Sequence, residues 1–202
     1  MVTIVDYKVG NLGSIQNMLK KIKVKSLITS DPEAISSAEK LILPGVGAFD
    51  SGIESLKKNE LWDVLNTRVL EDKIPVLGIC LGAQLICKSS EEGQEKGFGW
   101  VDAEVKKFTF TDNTFKVPHI GWNYTKLEKQ SKLFADMYDD PKFYFVHSFY
   151  IDVNDDSCLL RTTYKNEFDS AFESGNVLGV QFHPEKSHKF GMKLLQNFVE
   201  HY

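Results

Sequence analysis

Apolar and polar positions fall into two regimes along the chain. In the first half, short continuous apolar runs alternate with segments whose apolar residues recur at helical spacing. The runs at 2–5, 24–29, 40–44 and 75–79 have the pattern of strands covered on both faces. Between them, Ile15, Met18, Leu19 and Ile22 share one helical face, Asp31-Pro32-Glu33 opens a helix, and 51–58 and 60–71 read as helices despite Gly52, Asn59 and Asn66. A further helix begins at Gly82 and ends in the polar stretch Ser89-Ser-Glu-Glu-Gly93. Strand alternating with helix predicts a mainly parallel sheet in three layers. From Trp100 onward the character changes. Extended segments are expected at 100–110, 116–123, 143–151, 157–163, 168–173 and 176–182. A helix over 187–201 closes the chain, with Phe190, Leu194, Leu195 and Phe198 on its apolar face. No linker, repeat or low-complexity segment interrupts this order, so one domain over 1–202 is expected.

The sharpest chemical signal lies at the end of the fourth run. Gly78-Ile-Cys80-Leu-Gly82 is the cysteine counterpart of the G-x-S-x-G nucleophile elbow. A strand that turns at once into a helix leaves no room for side chains two residues either side of the corner. The turn lifts Cys80 out of the sheet, and the helix start places N–H groups beside the sulfur, which favours thiolate. A small buried hydrophobe in a tight turn would leave the same trace. Further along, Phe182-His183-Pro-Glu185 follows a strand. If the chain is extended there, the two side chains point the same way, so Glu185 can hold one ring nitrogen of His183 and leave the other to take a thiol proton. Read alone, this is equally a turn histidine with a solvated glutamate. Gly45-Val46-Gly47, after the third strand, can turn backbone N–H groups toward a ligand, and also reads as a simple loop.

Composition narrows the class. The 202 residues carry a formal net charge of −4, with 42% hydrophobic and 26% charged residues, a balance that fits a soluble globular protein and argues against nucleic acid as the main partner. Three cysteines, an odd number with no C-x-x-C, argue against a disulfide framework or zinc site and fit a reducing cytoplasm. Gly10 and Gly13 lack the spacing of a phosphate-binding loop. The first residues run straight into a strand, with no charged and apolar leader, so no signal peptide is expected.

Taken together the motifs resemble a known family. Asp6-Tyr7 with Gly10-Asn11, Pro44-Gly-Val-Gly47, Gly78-Ile-Cys-Leu-Gly82 with Gln84, Ser89–Gly93, Val117-Pro-His119 with Gly121-Trp-Asn123, Tyr144-Phe-Val-His-Ser148 and Gln181-Phe-His-Pro-Glu-Lys-Ser187 occur in order over the whole chain. The sequence is similar to class I (triad) glutamine amidotransferases, and among them to the glutaminase subunits of imidazole glycerol phosphate synthases. The resemblance implies an α/β three-layer sandwich of flavodoxin-like type, with a mostly parallel central sheet and a smaller antiparallel β portion. It implies that Cys80 attacks the glutamine amide, that His183 carries protons and that Glu185 orients His183. Val46, Gly47 and Leu81 would form the oxyanion hole. Gly45, Gln84, Glu92, His147, Ser148 and Phe149 would hold glutamine; for Gln84 and Glu92 a solvated helix end is the competing reading. No cofactor or metal is implied.

The same resemblance implies a heterodimer with a (β/α)₈ barrel cyclase. The barrel would use the ammonia on a phosphoribulosyl imidazole-carboxamide and release imidazole glycerol phosphate and an aminoimidazole carboxamide ribotide. Pro118, His119, Trp122 and Asn123 would lie at that interface, although Trp122 reads equally as core. Ala83, Ile120 and Lys8 depart from the family's usual residues. The same glutaminase chemistry serving amidino-sugar synthesis for a bacterial surface polysaccharide, or a free-standing γ-glutamyl hydrolase, are the alternative readings.

Overall fold

A computed structural model describes residues 1–110 and 115–202. The strands are β1 (Val2–Val5), β2 (Ser26–Thr29), β3 (Leu41–Leu43), β4 (Val76–Ile79), β5 (Ser89–Ser90), β6 (Ala103–Lys107), β7 (His119–Tyr124), β8 (Lys126–Leu127), β9 (Lys142–His147), β10 (Phe149–Val153), β11 (Cys158–Tyr164), β12 (Asn166–Ser174) and β13 (Val177–Val180). The α-helices are α1 (Leu12–Lys21), α2 (Pro32–Ser36), α3 (Phe49–Lys58), α4 (Leu61–Asn66), α5 (Leu81–Ile86) and α6 (His188–His201). The main sheet runs β2-β1-β3-β4-β13-β12-β10-β6-β5, with β11 and β8 extending from β12. Its first five strands pair in parallel, and the pairs from β13 to β6 are antiparallel. β7 and β9 form a separate antiparallel pair.

Side-chain alternation makes the three layers. Val2, Ile4, Ile42, Leu77, Ile79, Leu178 and Val180 share one buried cluster with Ile15 and Leu19 of α1 and Leu194 and Phe198 of α6. Their neighbours along the same strands, Val5, Leu41, Leu43, Val76 and Val177, pack instead with Phe49 and Ile53 of α3, Leu61 and Leu65 of α4 and Leu85 of α5. A strand buried on both faces must be apolar at every position, which is why these runs are continuous. Helix starts follow local chemistry: the Asp31 side chain accepts the Glu33 N–H and Pro32 occupies the first turn of α2.

The expected α/β fold is what the structure contains, with differences in the second half. Residues 143–151 form two strands in different sheets rather than one, with Ser148 at the break. The polar stretch after α5 contains a two-residue edge strand, Ser89–Ser90, paired in parallel with β6. The helix expected over 60–71 is α at Leu61–Asn66 and loosens to a π-turn at Thr67–Glu71. No helix among the described residues is long and apolar enough to cross a membrane.

The two elbow glycines are there for space. A Cβ on Gly82 would sit 1.8 Å from the carbonyl oxygen of Leu43, and one on Gly78 would sit 2.7 Å from Cα of Ala83. Gly13 in α1 has nothing within 4 Å of the same position. Gly82→Ala is therefore expected to destabilise the chain by about 2 kcal/mol or more, because backbone cannot move aside as a side chain would. Gly13→Ala is expected to stabilise it by about 0.5–1 kcal/mol. Chemical denaturation of the two variants beside the parent checks both signs.

Candidate active site

Parallel register gathers the site. β4 lies between β3 and β13, with Leu43 opposite Gly78 and Val180 opposite Ile79. The residues just past these strands, Pro44–Gly47, Cys80 and Gln181–His183, therefore emerge together at the carboxyl edge of the sheet. That edge is where open α/β sheets place their ligands.

Cys80 joins strand to helix in one residue. Its φ of 52° and ψ of −110° lie outside the regions a non-glycine residue favours. Two hydrogen bonds hold it there: its N–H donates to Val180 O at 2.8 Å, continuing the sheet, and its carbonyl accepts from Gln84 N at 3.1 Å, starting α5. Strain of this kind persists only when the surroundings over-determine it. The Cys80 side chain is 7% exposed. Its sulfur receives the Gln181 Nε2–H at 3.8 Å.

His183 and Glu185 meet as expected, by a different route. The chain is extended only at His183. Pro184–Lys186 is a 3-10 turn that folds Glu185 back, so that Nδ1 and Oε1 are 2.8 Å apart. Ser187, fully buried, fastens the turn by donating to His183 O at 2.6 Å and accepting from Tyr144 N at 3.0 Å. His183 Nε2 is buried and makes no hydrogen bond of ordinary geometry. Burial pulls the His183 pKa down, but interaction with the neighbouring Cys80 sulfur and the hydrogen-bonded Glu185 carboxylate outweighs it and raises the pKa to about 9. The ring can thus hold a proton at neutral pH.

A cavity of about 310 Å³ opens over Cys80, within the range of small-molecule sites. Val46, Gly47 and Leu81 border it on one side, and His147, Ser148 and Phe149 on the other. Gln84 and Glu92 complete it. Gln84 is not a solvated helix end, whereas Glu92 is exposed. Gln84 is 5% exposed and donates to Phe149 O at 3.2 Å and Gln181 Oε1 at 3.1 Å. Glu92 accepts the Phe49 N–H at the start of α3 at 2.9 Å. Gly45 does not border the cavity. It is pressed beneath the turn, where the Tyr7 hydroxyl donates to Pro44 O. Gly47 has φ +119° with open space around it, so the turn needs glycine for conformation rather than room.

The four residues expected at a partner interface separate. Trp122 is 42% exposed and stacks on His188, not in the core, beside the exposed Ile120 and Tyr124. Pro118 is exposed at the cavity mouth. His119 corrects the expectation: at 3% exposure, its side chain cannot meet a partner, because β7 alternation turns it inward with Asn123. Sequence reasoning gave no role to Gln181, Ser187 or Tyr7. Their trace in the sequence is their place in the motifs Asp6-Tyr7 and Gln181-Phe-His-Pro-Glu-Lys-Ser187.

The raised His183 pKa carries a sign. A histidine held protonated by folding adds stability that is full below its ordinary pKa of 6.5 and is lost as pH rises through about 9. Glu185→Gln is expected to lower the His183 midpoint by about one unit or more and to flatten the fall in stability over that window. Histidine NMR titration and denaturation at several pH values would read both; an unmoved midpoint contradicts the assignment.

Comparison with known proteins follows the same lines. The family model for glutamine amidotransferase class-I matches residues 3–202. Imidazole glycerol phosphate synthase subunit HisH 2 of Methanococcus maripaludis is 54% identical over 201 residues, covering 99% of each chain. The protein of the same name from Pseudomonas aeruginosa is 47% identical with the same coverage. Among solved structures, a glutamine amidotransferase overlays with a TM-score of 0.75 at 19% identity, covering 99% of this chain and 98% of that one. A chain of PurLQS from Thermotoga maritima overlays at 0.69 with 18% identity, covering 98% of this chain and 96% of that one. At those identities the overlays speak for the fold alone, while the family match and the full-length relatives go further: the chain belongs to the class-I glutamine amidotransferases.

Proposed function

We propose that this chain, as one domain over 1–202, is the glutaminase subunit of an imidazole glycerol phosphate synthase, hydrolysing L-glutamine and passing ammonia to a (β/α)₈ barrel cyclase partner in histidine biosynthesis. The observation that carries the reading is a thiol, Cys80, lining a cavity edged by Glu92 and the 147–149 segment, with a buried His183–Glu185 pair interacting with it from behind. Full-length relatives named as HisH subunits support the choice of partner and pathway. Three free cysteines fit a reducing cytoplasm.

Cys80 gives its proton to His183 Nε2, and the sulfur attacks the side-chain amide carbon of glutamine. Negative charge develops on the amide oxygen, which Val46, Gly47 and Leu81 N–H groups receive; removing one such donor costs roughly 3 kcal/mol. His183 then gives its proton to the amide nitrogen as the C–N bond breaks and ammonia leaves. A γ-glutamyl thioester remains on Cys80. His183 takes a proton from water, the hydroxide attacks the thioester, and the thiol leaves with that proton as glutamate is released. Glu185 keeps Nδ1 protonated throughout. Glu92 faces the substrate's ammonium, and Gln84 sets the Phe149 carbonyl. The exposed Ile120, Trp122 and Tyr124 form the docking face, with Trp122 as its anchor.

The chain is tested in complex with the barrel subunit from its own genome. Cys80→Ala should abolish glutamine-driven turnover of the ribulosyl intermediate, a loss of about 10³-fold or more, and leave turnover on added ammonium salts unchanged. Glutamine-driven amidation of an aminosugar acceptor instead would contradict the pathway and keep the glutaminase. Full glutamine-driven turnover by Cys80→Ala would contradict the chemistry itself.

A further inference from the structure

His119 and His147 lie directly opposite one another on β7 and β9. Both are buried, and His119 Nδ1 is 3.0 Å from His147 Nε2. The bonds around this pair allow one arrangement of protons. His147 Nδ1 is 2.7 Å from Phe149 O, and a carbonyl only accepts, so Nδ1 carries the hydrogen. In a neutral ring His147 Nε2 must then accept, and His119 Nδ1 must donate to it. His119 Nε2 is left as an acceptor. It faces Asn123 Nδ2 at 3.4 Å. The amide is fixed the same way round because Asn123 Oδ1 accepts from Tyr124 N at 2.9 Å and Nδ2 donates to Thr163 O at 2.9 Å.

We propose that His119 is a positioning residue for the substrate cavity: it donates to His147, which thereby presents its Nδ1–H to Phe149 and sets the 147–149 backbone that walls the cavity. This rests on the glutaminase reading for the identity of the substrate, but the hydrogen-bond order stands on geometry. His147, Ser148 and Phe149 border the cavity, whereas His119 does not. The Phe149 carbonyl is where two chains of bonds meet, since Gln84 also donates to it and reaches Gln181, which donates to the Cys80 sulfur. His119 is held for the task by rings on both faces, Tyr164 at 4.0 Å and Phe145 at 4.9 Å. Burial lowers both histidines, His119 to about 4 and His147 to about 3, so neither ring takes up the second proton that would break the order at neutral pH. Ser148, at the break between β9 and β10, is itself held on one side, where its carbonyl accepts from Phe108 N at 3.3 Å.

Two measurements on the full chain decide it. Nitrogen NMR of histidine-labelled protein at neutral pH should show His119 and His147 both neutral with hydrogen on Nδ1; hydrogen on Nε2 of either ring overturns the proposal, whatever the substrate. The second follows alkylation of Cys80 by a chloroketone analogue of glutamine and by iodoacetamide. His119→Leu should slow the analogue by about fivefold or more while iodoacetamide stays within about twofold, and His119→Asn, which can still donate to His147, should restore the analogue rate. Equal loss for both reagents, no loss, or no recovery in His119→Asn overturns it. A parent chain that does not prefer the analogue would instead count against the glutaminase reading and leave the NMR result to judge the hydrogen-bond order.

Discussion

Everything at the site depends on how one backbone residue is held. Cys80 ends a strand and begins a helix at once, in a conformation that costs energy of order 1–3 kcal/mol. The cost is offset by two backbone hydrogen bonds, to Val180 and from Gln84, and by the close seating of α5 on β3 that Gly82 permits. The parallel register of β3, β4 and β13 sets where the thiol and its prospective partners come out. Loosening the corner would disperse the thiol, the oxyanion turn and the imidazole together, although each sits on a different strand.

Polar groups beneath the cavity are paired in a definite order. Gln181, fully buried beside the sulfur, is satisfied by Gln84; Gln84 is tied to Phe149; and Phe149 is tied through His147 to His119. A half-paired network of this kind would cost more than an apolar core. The exception is instructive: Nε2 of His183 and Oε2 of Glu185 are buried without partners in the free chain. Unsatisfied groups at a reaction centre are what a site awaiting substrate and proton transfer leaves open.

Much of this was legible in the residues themselves. Continuous apolar runs at 41–43 and 76–79 could hardly be anything but strands covered on both faces, and the glycines around Cys80 announced the corner. What periodicity does not record is a change of sheet. Residues 143–151 alternate without a glycine or proline, so nothing marks Ser148 as the break that brings 147–149 to the cavity. For the same reason His119 passed for an interface residue: the strand was visible, but which of its faces turned inward depends on β9, a partner distant in sequence. The His183–Glu185 contact was expected from an extended chain and is made by a turn, since proline after the histidine starts a 3-10 helix as readily as it extends a strand.

The central claim is that Cys80, alone of the three cysteines, forms a covalent bond to the acyl group of glutamine. Acid-quenching the chain and its partner complex during turnover, followed by mass analysis of cysteine-containing peptides, tests it most directly. The account predicts one γ-glutamyl group on the peptide bearing Cys80, and none on those bearing Cys87 or Cys158, whose thiols burial pushes up. An adduct on either of those, or turnover with no adduct at Cys80 even when its hydrolysis is slowed, would contradict it.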